Sequence, residues 1–186
     1  MKHIVVIFLA LLVAPVARAD TVRIDPAHSV ISFKVRHILG TVNGRFKQFS
    51  GTIELDRDHP EQSSVNASIQ VRSIDTGIAK RDEHLQSAEF FNVAKFPEIT
   101  FKSKNVKRTG KESGEIVGEF TMHGVTRAIP LHVTFLGPGK NETTRWRVTT
   151  DPLKRNDYGL RWSPTVESTS MIGQDVTVLM EIEAKP

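Results

Sequence analysis

Apolar and polar residues alternate along most of this chain. In His28–His37, Ile31, Phe33 and Val35 face one way and Ser32, Lys34 and Arg36 the other, the period of a half-buried strand. The same alternation recurs in Val65–Val71 (Val65, Ala67, Ile69, Val71) and Glu98–Val106 (Ile99, Phe101, Ser103). It continues in Glu115–Gly124 (Ile116, Gly118, Phe120, Met122) and Arg127–Leu136 (Ile129, Leu131, Val133, Phe135), where Pro130 belongs at an outward edge or bulge. Thr144–Thr150, with Trp146 and Val148, and Ser170–Glu183, with Val176, Val178, Met180 and Ile182, complete the set. Arg45–Asp56 breaks parity, because Phe46 is out of step with Phe49, Gly51, Ile53 and Leu55. One extra residue at Lys47-Gln48, a β-bulge, would return every apolar group to one face.

One stretch departs from this rhythm. In Ser73–Pro97 the apolar residues fall at Ile78, Leu85 and the pair Phe90-Phe91, with charges between them. Asp75 and Thr76 are good N-cap residues, so a short helix is expected over Ile78–Leu85, with Ile78 and Leu85 on its inner edge. Ser87 would cap a second, one-turn helix that carries Phe90 and Phe91 inward, and Phe96-Pro97 would end it. Asp151–Thr169 is irregular, and within it Leu160–Ser170 has no pattern that places it.

Eight strands result, joined by turns except at this insert. No strand–helix–strand alternation recurs, which argues against a parallel sheet. The expected fold is all-β: an eight-stranded antiparallel barrel, capped at one end by the insert and wide enough to hold one slender ligand. Small inward positions at Gly51, Ala67, Ser103 and Gly118 would leave room along the axis. The same apolar face would equally suit a barrel with a filled core.

Residues 1–19 stand apart from the rest. Lys2 opens a short basic start, Ile4–Val13 is apolar, and Ala17-Arg18-Ala19 fits a signal-peptidase site. The expectation is a removed export signal followed by one domain over residues 20–186. Its loss removes two cations and lowers the net charge from +4 to +2, a weak basis for binding nucleic acid. The apolar run is short for a membrane span, so no stable membrane insertion is expected. There is no cysteine, which excludes a disulfide scaffold and a lipid-anchoring cysteine. An exported, cysteine-free chain fits the bacterial periplasm, and a homodimer is compatible with it.

Beyond the export segment, the histidines His28, His37, His59, His84, His123 and His132 form no metal-binding spacing. His123 and His132 read as outward strand residues. No nucleophile elbow, phosphate loop or dinucleotide fingerprint is present, so no cofactor or metal is expected. Arg81, Asp82 and His84 could pass for an acid/base set. Their simpler reading is scaffolding of the insert, with Arg81 and Asp82 paired as ions.

Several motifs then carry a resemblance. They are His28–Phe33, Gly44-Arg45-Phe46, Ser73–Gly77, Arg81-Asp82 with His84-Leu85, and Ser87–Phe91. Phe96–Phe101, Gly118–Thr121, His123–Thr126 and Arg155–Gly159 continue the series. In order and spacing they are similar to the YceI-like family of lipid- and polyisoprenoid-binding proteins, from about Asp25 to Glu183. The resemblance implies a lipocalin-like barrel exported to the periplasm, holding a long isoprenoid or similar amphiphile in its lumen. It does not imply an enzyme.

The expected function is a periplasmic carrier of such a lipid, a quinone or a prenyl phosphate among the candidates. The alternatives are a fatty-acid or amide carrier of the same fold, an enzyme acting through Asp82 and His84, or an interaction module with a filled core. The lumen wall would be built by Phe33, Val35, Phe46, Phe49, Ile53, Ile69 and Val71 from the first half of the chain. The insert would add Ile78, Leu85, Phe90 and Phe91. The later strands would add Ile99, Phe101, Ser103, Gly118, Phe120, Met122, Leu131, Val133, Phe135, Val176 and Val178.

Overall fold

The computed structural model describes residues 19–163, 167 and 171–186. The expected export segment lies outside the described residues except for Ala19, as do residues 164–166 and 168–170. Among the described residues the strands are β1 (Asp20–Ile24), β2 (Val30–His37), β3 (Gly40–Phe46), β4 (Phe49–Leu55), β5 (Ser64–Gln70) and β6 (Ile74–Asp75). The helix α1 (Ala79–Gln86) follows. Then come β7 (Glu98–Arg108), β8 (Ser113–Met122), β9 (Val125–Pro138), β10 (Thr144–Thr150), β11 (Leu153–Lys154) and β12 (Ile172–Lys185). No helix among these residues is long and apolar enough to cross a membrane.

The strands pair antiparallel in the order β1-β4-β5-β7-β8-β9-β10-β12, and β1 pairs with β12 to close the ring. This is the expected eight-stranded antiparallel barrel. Three of its staves are bent. The chain of β1 continues into β2, that of β4 continues from β3, and β5 leads into β6. Below the bend, β12 pairs with β2, β2 with β3, and β3 with β6.

These bends replace the bulge expected at Lys47-Gln48. Phe46 ends a strand paired with β2, and Phe49 begins one paired with β1 and β5. At the corner, Lys47 N–H donates to the Ser73 carbonyl at 3.1 Å, and Gln70 N–H donates to the Gln48 carbonyl at 2.9 Å. The parity change is real, and its cause is a change of neighbour. The matching bend between β1 and β2 is tied to β12. Asp25 N–H donates to the Glu183 carbonyl at 2.8 Å, and Glu183 N–H donates to Ser29 Oγ at 2.9 Å.

The insert holds one helix. It starts one residue later than expected, with Ile78 as an extended N-cap (φ −133°) that offers no side-chain cap. Ile78 is therefore not an inner residue: it is 53% exposed, whereas Leu85 is buried. Ser87 opens a turn rather than a second helix. Its carbonyl accepts from Phe90 and Asn92 N–H at 3.1 and 2.8 Å, and Asn92 takes a left-handed φ of 49° that ends any helical path. Phe90 and Phe91 still turn inward, packed edge to face at 5.3 Å. They join Leu85, Phe46, Phe49, Ile74, Ile99 and Met122 in the main core, which lies under the insert.

Candidate ligand-binding lumen

Above that core the barrel is not filled. Its inward side chains leave a cavity of about 630 Å³, within the size range of small-molecule sites. Apolar groups from nearly every stave line it, and many of them, including Phe33, Val35, Val133, Phe135, Val176 and Val178, are only half-buried because they face this space. The ionisable side chains of the lining belong to the ends. The β7–β8 hairpin and the Asp56–Ser63 loop bring Asp56, Arg57, Lys107, Arg108, Lys111 and Glu112 to one mouth. Arg81 of the insert, His37 at the β2–β3 turn and Arg155 stand at the opposite end.

The structure places the expected wall residues on this lining except for Val71, Ile78, Ser103 and Gly118. Val71 lies on a 3₁₀ turn after β5 and is buried within the core. Ser103 sits beside a register shift in β7, where its Oγ accepts the Val65 N–H at 2.8 Å. Gly118 faces inward, but the space is taken. A Cβ there would run into the Phe101 ring and stand 2.6 Å from the Lys102 carbonyl oxygen. Gly44 serves Phe33 in the same way, so two glycines let two aromatic rings lie along the wall.

The lid end is organised around Thr76, which is buried. Asp82 Oδ1 accepts its N–H at 2.9 Å and its hydroxyl at 2.5 Å. Arg81 donates from Nε to Thr76 Oγ1 and from Nη2 to the Thr76 carbonyl, both at 2.7 Å. Arg81 and Asp82 are thus joined through Thr76 and not by the direct ion pair expected from sequence. His84 points elsewhere, with Nε2 3.5 Å from Glu89 Oε2 and its ring 5.3 Å from that of Trp162. His123, expected to face outward from a strand, occupies the β8–β9 turn with a left-handed φ of 51°. Its Nδ1 is 2.9 Å from the Tyr158 carbonyl, and its ring stacks edge to face on Phe96 at 4.6 Å. This contact fastens the end of the insert to the barrel. His132 faces outward as expected, 3.0 Å from Asp151. No cluster able to hold a metal ion occurs among the described residues.

The YceI-like domain model matches residues 23–184. The chain belongs to the YceI-like family. A UPF0312 protein of Pseudomonas savastanoi pv. phaseolicola is 37% identical over 158 residues, spanning 82% of each chain. BcnA of Burkholderia cenocepacia superposes with a TM-score of 0.80 at 23% identity, over 87% of this chain and 99% of its own. A polyisoprenoid binding domain from Saccharophagus degradans, implicated in plant cell wall breakdown, superposes with a TM-score of 0.66 at 20% identity. That match covers 90% of this chain and 98% of the other, and at these identities both likenesses are of fold.

In this YceI-like barrel the motif Arg155–Gly159 forms a 3₁₀ turn on which Arg155 and Tyr158 are buried. Arg155 is 3% exposed, and its guanidinium meets Glu167 twice, at 2.6 and 3.1 Å. It also donates to the carbonyls of Leu160 (2.9 Å), Gly173 (3.0 Å) and Ile172 (3.3 Å). Hydrogen bonds from Arg155 hold the Glu167 carboxyl below the ordinary carboxylate range. Tyr158, buried on the same turn, has its phenol pushed up by burial and packs edge to face on Phe120 at 5.5 Å. The roles of Arg155 and Glu167 were not legible in the sequence. They depend on residues 12 to 18 positions apart meeting, and no periodicity reports that.

Proposed function

We propose that this protein is a carrier that shelters a long isoprenoid chain, or a similar amphiphile, inside the barrel, and that it works in the periplasm after loss of residues 1–19. The observation that carries this reading is the shape and chemistry of the lumen. It is an apolar cavity of about 630 Å³ that runs toward two ends, where the ionisable side chains are confined. A polyisoprenoid is a flexible apolar chain with a polar head at one end. Each methylene-sized unit moved from water to such a wall contributes about 0.8 kcal/mol before the cost of ordering the chain. Binding of this kind needs no catalytic group. Asp82 and His84 do not converge, and neither lines the lumen, which supports a binding role over a catalytic one.

Mass spectrometry of an organic extract of the purified protein tests the proposal. A co-purified prenyl lipid is the expected result. A fatty acyl species would replace the isoprenoid reading with a fatty-acid carrier, and an extract without lipid would contradict both.

A further inference from the structure

We propose that the tip of the β2–β3 hairpin docks the protein on an anionic lipid membrane, with the lid end of the lumen turned toward the bilayer. The inference rests on the carrier reading, since a carrier must reach the membrane that holds its lipid. Ile38 and Leu39 form the tip, between the paired residues His37 and Gly40. They are the two most exposed large apolar side chains among the described residues, at 62% and 91%. Neither is a turn former, and two-residue hairpin turns favour glycine, asparagine and aspartate. The turn is nonetheless fixed. Ile38 N–H donates to the Met171 carbonyl at 2.8 Å, and Leu39 N–H donates to His37 Nδ1 at 3.3 Å. Met171, whose backbone meets the tip there, is itself exposed.

The tip continues the lumen wall. Behind it, Val35 of β2 pairs with Val42 of β3, and His37 pairs with Ile172 of β12. All four line the lumen, so the lining ends one residue short of Ile38. Charge selects the partner. Residues 30–44 carry Lys34 and Arg36, both exposed, and no acid. Neither cation lies within ion-pair distance of an acid among the described residues. Asp175, on the neighbouring stretch of β12, stands opposite Lys154 of β11. At the other mouth, by contrast, the cations share their rim with Asp56 and Glu112. Exposed apolar side chains flanked by cations match a bilayer that is apolar within and anionic at its surface. Each cation near such a surface strengthens attachment by about fivefold. With so few anchors the attachment is reversible, as shuttling requires.

The test is co-sedimentation of the full exported chain with vesicles of phosphatidylethanolamine and phosphatidylglycerol. Wild type is expected to attach, less so as salt rises and less to vesicles of phosphatidylcholine alone. Ile38→Ser combined with Leu39→Ser is expected to weaken attachment by about tenfold or more, with the melting temperature unchanged. Arg36→Glu leaves the tip intact and is expected to weaken attachment by about tenfold. The control is Leu136→Ser, at an exposed residue of β9 whose neighbour Phe135 donates to the Glu112 carbonyl at the other mouth. It is expected to attach as wild type does. Wild-type affinity in either hairpin variant, or loss in Leu136→Ser alone, would overturn the proposal. So would a wild-type dimer, seen by sedimentation velocity without vesicles, that the double variant dissociates, because the tip would then belong to a second copy. Wild type that binds a prenyl lipid added in solution but ignores vesicles would overturn the docking and leave the carrier reading standing. Attachment without uptake of a prenyl lipid from the vesicles would uphold the docking and remove the carrier reading.

Discussion

The ring of Phe101 on β7 occupies the space into which a side chain on Gly118 of β8 would project. The missing side chain therefore serves the barrel wall and not a ligand. Gly118→Ala is expected to cost about 1–3 kcal/mol, since the Phe101 ring must move and the Lys102 carbonyl cannot move without breaking the ladder. Thermal unfolding checks this. An unchanged melting temperature would mean that the wall around Phe101 yields more easily than its packing implies.

Thr76 joins two charged side chains that do not touch each other. Thr76→Val keeps the shape but removes the hydroxyl that serves Asp82 and Arg81. A loss of about 1–3 kcal/mol is expected in denaturant unfolding. Ser87→Ala, in the same insert but in an exposed turn contact, should cost less. Equal effects would show that Thr76 is not the anchor of the lid.

Two carboxylates besides Glu167 contribute to the barrel's stability against acid. His28, with help from the Ala27 N–H and Lys185, holds Asp25 at about 2, and Lys47, the Gly77 N–H and Arg45 hold Asp75 at about 2. Both values are depressed relative to the unfolded chain. Their stabilisation is therefore present above pH 4 and is lost as pH falls toward 2. Melting temperature should drop across that window, and less steeply in Asp25→Asn and Asp75→Asn, which start lower at neutral pH. Parallel curves for wild type and variants would contradict the assignment.

Asp82→Asn and His84→Gln address the enzyme reading. Lipid affinity is expected to stay within a few-fold of wild type, because neither residue lines the lumen. Turnover of a bound prenyl lipid by wild type that disappears in these variants would move the protein to an enzyme class.

Much of the barrel was legible because alternation with period two is imposed by burial of one face. It reports which way a side chain points and nothing about which strand lies alongside. That is why the corner between Phe46 and Phe49 read as a bulge and why β1 went unseen. For the same reason the inward residues could not be sorted into core and lumen. Val71 and Val133 have the same pattern, yet one is sealed in the core and the other faces the cavity. The insert was legible as a helix carrying Leu85. Ile78 was misplaced because Asp82 folds back on Thr76 and sets the start of the helix one residue later.

A lumen that holds the ligand's apolar chain must lose that chain when it is filled. Val133 on β9 and Val178 on β12 face the cavity and are half-buried. Val133→Phe and Val178→Phe should place each new ring in open space. The decisive measurement is titration of the lipid-stripped variants with a prenyl lipid, with the melting temperature taken on the same samples. Binding weakened by about tenfold or more is expected, with the melting temperature unchanged or raised. Wild-type affinity in both folded variants would contradict it.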